Sequence, residues 1–512
     1  MLLLAFITVA LSMPPTAHAS LDQSTGKTSI TISGHVLDQQ GFPLRGVGVR
    51  VYVDHAPHKV IVWRDQLEVA YSRPDGLFLV EVPLSEDESA PRSIVVMLHK
   101  PGFSSEEIDI TENVVLSTDA QVFVELPPIN LSRVLNPAFF IATGNFLLVI
   151  ALISFNRLHE TIAALLGVAG ILGVSYILGS QNPDFWVMGF DQAIRYIDFD
   201  VIFLIMSLMI VVSIFGQTGI FQWLALLAYR VSKGSPWRLA VILMLSTAFI
   251  SAFLNNVTIM LLIAPITIEI ALVLGINPVA LILPEALASN IGGIATLIGD
   301  PPNTVIGSYA GLGFNQFLAH MGPMAILATL ALVLAIYVLY RSEYQTARAE
   351  PRATLLARLE QDAEISDPAT VKKSVITISV MMLLFIGSER FEMPASVAAL
   401  IGAAVMLVWI RPHLEDMIME VDWTTLLFFI GLFIVVGAIQ EVGLIQQLAQ
   451  VIGDFAAMNL ALATLAVIWL SAFASAFVNN IPFTAAVLPI AAYLTSTIPG
   501  AESLVIYWAL SL

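Results

Sequence analysis

From Asn136 onward the chain is written in apolar runs, at about 138–155, 161–179, 201–227, 239–254, 257–274, 279–310, 317–340, 373–388, 395–410, 423–440 and 459–494. A helix needs about 20 residues to cross a bilayer, so most of these runs predict membrane-spanning helices. Two stretches depart from that length. The arms on either side of Asn255-Asn256 have 16 and 18 residues and no polar loop between them, which predicts a re-entrant hairpin with its tip near mid-membrane. Asn479-Asn480 predicts a second hairpin in the same way. The run at 279–310 is long, but Ser289-Asn290, Gly292-Gly293 and Asp300-Pro301-Pro302-Asn303 interrupt it, and it predicts a broken helix. Before Asn136 the pattern alternates with period two in ISGHVLDQQGFPLRGVGVRVY, SRPDGLFLVEVP and IVVMLHKPGF, with turns at Gln40-Gly41, Asp75-Gly76 and Pro101-Gly102. Residues 20–130 therefore predict a small β-sandwich.

The apolar region repeats itself. SAFLNNVTIMLLIAP (Ser251–Pro265) returns as SAFVNNIPFTAAVLP (Ser475–Pro489), in a register of 224 residues. Without a gap the register carries Asp198 onto Asp422, Val211-Val212 onto Val435-Val436, Gly219 onto Gly443, and Leu224-Ala225 onto Leu448-Ala449. Adjacent amides inside apolar segments are costly in a bilayer unless they have something to bind. A single pair could be interhelical glue worth roughly 1–2 kcal/mol or less. Two symmetric pairs read better as the halves of one transport site.

Charge sets the orientation. Arg230, Lys233 and Arg238 share one loop, and Arg341, Arg348, Arg352, Arg358, Lys372 and Lys373 share the longest one. Both are expected in the cytoplasm, because basic loops are retained there. Counting crossings from them puts residues 181–200, residues 441–458 and the β-domain outside. The span after Asp198 then runs inward and the one after Asp422 outward. Inverted repeats with discontinuous helices are a mark of secondary transporters. The organisation read from the chain is a signal peptide at 1–19, ending in Ala17-His18-Ala19; an exported β-domain at 20–130; repeat 1 at 136–340; a cytoplasmic connector at 341–373; and repeat 2 at 374–512. Such a chain suits a bacterial inner (plasma) membrane, with its N-terminal domain periplasmic or extracellular.

Composition agrees with this class. Of the 512 residues 57% are hydrophobic and 12% charged, with mean hydropathy +0.85. Soluble domains carry about twice that charged fraction. A net charge of −17 speaks against a nucleic-acid partner. The absence of cysteine removes disulfides and thiolate chemistry. No nucleophile–base pair or metal cluster stands out, so neither an enzyme nor a metal cofactor is expected. His159-Glu160 opens like a zinc-protease motif, but Ala163 occupies the second histidine position. His35, His55, His58 and His99 read as scattered surface histidines. A sensor that binds ligand on its β-domain is the rival reading, although its longest inner loop is only about 30 residues.

The densest candidate chemistry is ASNIGGIATLIGDPPN, Ala288–Asn303. Gly292 and Gly293 permit an unwound stretch whose amides and carbonyls turn inward. Ser289, Asn290 and Thr296 add neutral polar groups. Orphan N–H groups at half-helix ends suit an anion, and unwound carbonyls suit Na⁺. No lysine follows the glycines, so this is not a Walker loop. Asp300 belongs either to the site or to turn chemistry at the membrane surface. Glu285, four residues before Ser289, is a candidate for proton coupling, because an intramembrane carboxylate is costly. Glu269 reads as interfacial or structural, and Gly167, Gly170 and Gly173 as close-packing positions.

Asn255-Asn256 followed by ASNIGGIATLIGDPPN and GLGFNQFL resembles the ion transporter superfamily, nearest the branch of melanosomal P protein, arsenite permeases and citrate-transporter-like permeases. The resemblance covers about residues 140–512. The β-domain is similar to the transthyretin-like regulatory domains that accompany metallocarboxypeptidases. The membrane resemblance implies a polytopic α-helical fold of two inverted repeats, each with a re-entrant hairpin and a broken helix, around one site. It implies an elevator-like movement and is consistent with a homodimer in the lipid bilayer. Its site falls on Asn255, Asn256, Ser289, Asn290, Gly292 and Gly293, with Asn479 and Asn480 from the second half. The function it implies is secondary transport of a small anion (a carboxylate, arsenite or another inorganic anion) coupled to Na⁺ or H⁺, or else Na⁺/H⁺ exchange. The register puts the counterpart of Ser289 one position beyond Leu512, where the family continues with a second broken helix, so a truncated chain is expected.

Overall fold

The computed structural model describes the chain except residues 1–28, 39–42, 63–64, 74, 84–92, 101, 112–120, 133, 234, 255, 347–366, 446, 449–458, 477–478, 499 and 502–503. The expected signal peptide, Asn255 and most of the connector lie outside the described residues. The chain divides into two units, Met1–Val134 and Leu135–Leu512.

The first unit is built of strands. They are β1 (Ser29–Asp38), β2 (Gly48–Val53), β3 (Ala56–His58), β4 (Val60–Val62), β5 (Asp65–Leu67), β6 (Ala70–Tyr71), β7 (Leu77–Pro83), β8 (Ile94–His99), β9 (Glu106–Asp109), β10 (Gln121–Glu125) and β11 (Ile129–Leu131). One sheet runs β10-β1-β7-β4-β5, with β11 also on β1, and the other runs β3-β2-β8-β9, with β6 on β2. Alternate residues Ile30 and Ile32, Val80 and Val82, Val49 and Val51, and Val96 and Leu98 are fully buried and share one core drawn from both sheets. That is the period-two burial of a sandwich.

The second unit is helical: α1 (Pro137–Ser154), α2 (Glu160–Ile177), α3 (Phe190–Arg195), α4 (Phe199–Gly216), α5 (Ile220–Ser232), α6 (Pro236–Ser251), α7 (Asn256–Leu274), α8 (Val279–Ile294), α9 (Pro301–Ala310), α10 (Phe314–Leu339), α11 (Arg341–Thr346), α12 (Pro368–Gly387), α13 (Ala395–Ile410), α14 (Leu414–Glu420), α15 (Trp423–Glu441), α16 (Leu460–Ser475), α17 (Asn480–Thr497) and α18 (Val505–Ser511). Among the described residues, six helical stretches, namely α1, α2, α4, α10, α15 and α12 with its extension to Phe391, are long and apolar enough to cross a membrane. The arms beside each Asn pair and the run at 279–294 fall among shorter apolar helices. The expected single span at 201–227 is instead two helices. Gly219, at φ +78°, takes a left-handed turn that a side chain resists, and its repeat mate Gly443 does the same at φ +83°.

The repeat register holds in three dimensions. Asp198 and Asp422 are the N-caps of α4 and α15, accepting from the backbone of Val201 and Thr425 at 3.1 Å each. α6 and α16 start and stop at register-matched residues, and α7 and α17 both begin on the second Asn of their pair. The inversion is visible in contacts between α4 and the second repeat. At the C-terminal end of α4, Ser213 and Gln217 donate to Glu420, just before α15, at 2.7 and 3.2 Å. Just before α4, Tyr196 donates to Glu441, the last residue of α15. Equivalent helices thus run in opposite senses.

Of the three expected packing glycines, Gly167 lies against Val149 and Val435 and Gly170 against Asn145. Gly173 has no neighbour within 4 Å of where a Cβ would stand, so packing does not require it.

Candidate functional site

The break between α8 and α9 organises the site, and it lies later than the glycines suggest. α8 continues to Ile294, so Ser289, Asn290, Gly292 and Gly293 are helical, and the unwound stretch is 295–300. The glycines serve close approach instead of unwinding. A Cβ on Gly292 would run into the backbone of Ala248 on α6, and one on Gly293 would come within 3.0 Å of the Gly299 carbonyl. Small residues let helix backbones touch where larger ones would hold them apart.

The break is held by side chains. Thr296 donates to the Ala252 carbonyl and accepts from the amides of Ile298 at 3.3 Å and Gly299 at 3.2 Å. Asn303, on the first turn of α9, places its amide against the carbonyls of Gly293, Ile294 and Thr296 at 3.4, 3.2 and 3.1 Å. Those are carbonyls that a helix C-terminus leaves without partners. Ser511 donates to the Asn303 oxygen at 2.6 Å. Thr296 is fully buried and spent on this scaffold. Pro301 and Pro302 fill the first helical positions of α9, where a missing N–H costs nothing.

Beside the break lies a cavity of about 830 Å³. Repeat 1 lends it Asn256 and Thr258 from the hairpin, Asn290 from α8, and Asp300 at the break; repeat 2 lends it Asp422, Asn479 and Asn480. The C-terminal end of α4, Glu420 and the first residue of α2, Glu160, complete the wall. The two hairpin tips therefore meet in one space. Asn256 donates to Asn290 at 3.0 Å, and Asn479 donates to Glu160 at 2.9 Å. Ser475 donates to Asn480. Asp300 caps α9 by position but makes no capping hydrogen bond, and it is one of the cavity's lining residues.

Five of the expected site residues, Asn256, Asn290, Asp300, Asn479 and Asn480, line this cavity. Ser289 does not. It is buried, with its hydroxyl 3.2 Å from the Ser251 hydroxyl and 3.3 Å from the Asn256 carbonyl, steadying the hairpin tip. Glu285 also lies apart, fully buried between the hairpin arms, where Thr247 of α6 and Thr267 of α7 donate to it at 3.1 and 2.9 Å. The register-matched residues of repeat 2 are Ser471, Ala491 and Ala509, and the Ser471 hydroxyl has no hydrogen-bond partner among the described residues. Only the first hairpin carries this carboxylate clamp.

Sequence reading missed Glu160 and Glu420 as cavity residues and used Asp422 only as a register mark. Glu160, Asp300, Glu420 and Asp422 make the lining acidic, and no Lys, Arg or His lies among the lining residues. Among the described residues no three His, Asp or Glu side chains converge as metal ligands.

Residues 150–512 match the profile of a family described as citrate transporters. An uncharacterized transporter of Mycobacterium tuberculosis (strain CDC 1551 / Oshkosh) is 36% identical over 361 residues, covering 70% of this chain and 81% of that one. The 46 kDa membrane protein of Mycobacterium leprae is 35% identical over 373 residues, 73% of this chain and 85% of that one. The human P protein is 31% identical over 425 residues, 68% of this chain and 50% of the P protein.

Proposed function

Because the chain belongs to the citrate transporter family, we propose that it is a secondary active transporter carrying a small anion, with a carboxylate such as citrate as the first candidate, coupled to Na⁺ or H⁺. The observation that carries this reading is the meeting of both hairpin tips and the broken helix in one cavity. Amides from two inverted halves surround a space large enough for a small organic anion. The four carboxylates shape the chemistry. A bare polyanion would be repelled by them, so the anion enters with cations that offset its charge. The same lining supports a second reading, Na⁺/H⁺ exchange, in which the carboxylates hold the exchanged ions. By the distribution of Lys and Arg, the end where α4 stops is cytoplasmic, and the cavity faces inward.

The test is flux into proteoliposomes loaded with a pH dye, offering citrate, dicarboxylates, arsenite and Na⁺ in turn. Asn256→Ala and Asn480→Ala, one from each hairpin, are each expected to cut substrate-dependent flux at least tenfold while the protein still folds. Flux indifferent to both substitutions would reduce the amides to packing. Proton movement driven by Na⁺ alone, with no anion effect, would select the exchanger.

Glu285 is proposed as a proton-coupling group acting through the first hairpin. Glu285→Gln keeps the shape and one acceptor for Thr247 or Thr267 but cannot ionise. Its flux is expected to lose the pH dependence that the parent protein shows. An unchanged pH profile leaves Glu285 as a structural clamp only.

A further inference from the structure

We propose that Glu160 is a positioning residue of the transport cycle: it holds Asn479 in the inward-facing state and releases it as the site turns outward. The proposal rests on the inward-facing reading of the cavity given above. Glu160 begins α2, where the helix N-terminus favours a carboxylate. That end of α2 is tied to α15, because Thr161 donates to the Thr424 carbonyl at 2.8 Å. Further along, Gly431 of α15 lies against Ala164 of α2, where a Cβ would come within 3.0 Å. Glu160 therefore stands on a body made of α2 and α15.

Asn479 stands on the other side. It caps α17 through its side-chain oxygen, which accepts from Ile481 at 3.2 Å; α17 packs chiefly on α9 and α18 and meets α15 along a smaller seam that includes Ala485. The hydrogen bond from Asn479 to Glu160 joins residues 319 apart in sequence and crosses a wall of the cavity. Alternating access needs the bodies around a midplane site to shift past each other. A side-chain bond between them is made in one state and broken in the other. It engages one of the two N–H donors of the Asn479 amide.

Because the chain has no cysteine, one introduced thiol reports the state. Ser213→Cys places it on the cavity wall, and a membrane-impermeant maleimide applied from the cytoplasmic face in inverted vesicles reads its exposure. Adding Glu160→Ala is expected to slow labelling roughly threefold to tenfold, as the inward-facing population falls by the net worth of one hydrogen bond. Glu160→Gln, which keeps an acceptor for Asn479, is expected to restore most of the rate. A purely structural role would lower the melting temperature and leave the labelling rate of the folded fraction unchanged, and that result overturns the proposal. Equal slowing in Ala and Gln overturns it too. Labelling of Ser213→Cys only from the opposite face would instead bring down the inward-facing reading itself.

Discussion

Gly292→Ala is expected to disrupt the packing of the first hairpin on α8 and to abolish transport. The added methyl group would lie 2.1 Å from the Ala248 carbonyl oxygen, with further backbone atoms of that residue at 2.7 Å. Backbone cannot rotate away as a flexible side chain can. Overpacking a core costs about 1–3 kcal/mol where neighbours can adjust, and this contact lies at or above the upper end of that range. α6 must separate from α8, carrying Ser251 away from Ser289 and Ala252 away from Thr296. The check is thermal unfolding of the purified protein alongside Gly173→Ala, whose new methyl meets nothing within 4 Å. The control is expected to change stability by about 1 kcal/mol or less. Equal melting of the two variants would refute the close approach of α6 and α8.

Asn303→Ala is the second large effect. It removes the donor shared by the carbonyls of Gly293, Ile294 and Thr296 and leaves Ser511 without its acceptor. An amide nitrogen carries two hydrogens, so at most two of those carbonyls are satisfied at once. Stranding a buried acceptor costs about 1–3 kcal/mol, and the substitution is expected to cost about 2–4 kcal/mol in all. The damage centres on the break, so Asp300 and Asn290 shift relative to the hairpin tips and flux falls with stability. Thr304→Val removes one nearby bond, to the Leu297 carbonyl at 2.9 Å, and is expected to cost about 1 kcal/mol. An Asn303→Ala protein as stable as Thr304→Val, with native flux, would mean that solvent satisfies the break.

The glycine run shows where local reasoning reached its limit. Two adjacent glycines beside polar residues fit an unwound segment, and they fit tight helix packing equally well. Only the position of Ala248 decides between them, and that residue belongs to another helix. Glu160 shows the same limit. In sequence it is the second residue of a failed metal motif, whereas in space it accepts from an asparagine of the other repeat. The paired asparagines were legible because the chain writes them twice in one register. Asp198 and Asp422 were legible as matched positions, and each proves to cap the helix that follows it.

The sequence by itself determined the membrane class, the two hairpins, the repeat and its inversion. Each of these rests on local hydropathy, on loop charge or on self-similarity along the chain, and none needs a long-range contact. The tertiary structure decided which polar groups share a space. Asn256, Asn290, Asp300, Asn479 and Asn480 line one cavity with three further carboxylates in its wall, while Ser289, Thr296 and Glu285 are buried in the frame. A helix presents different residues on different sides, and the side that faces the cavity is set by what packs against the others.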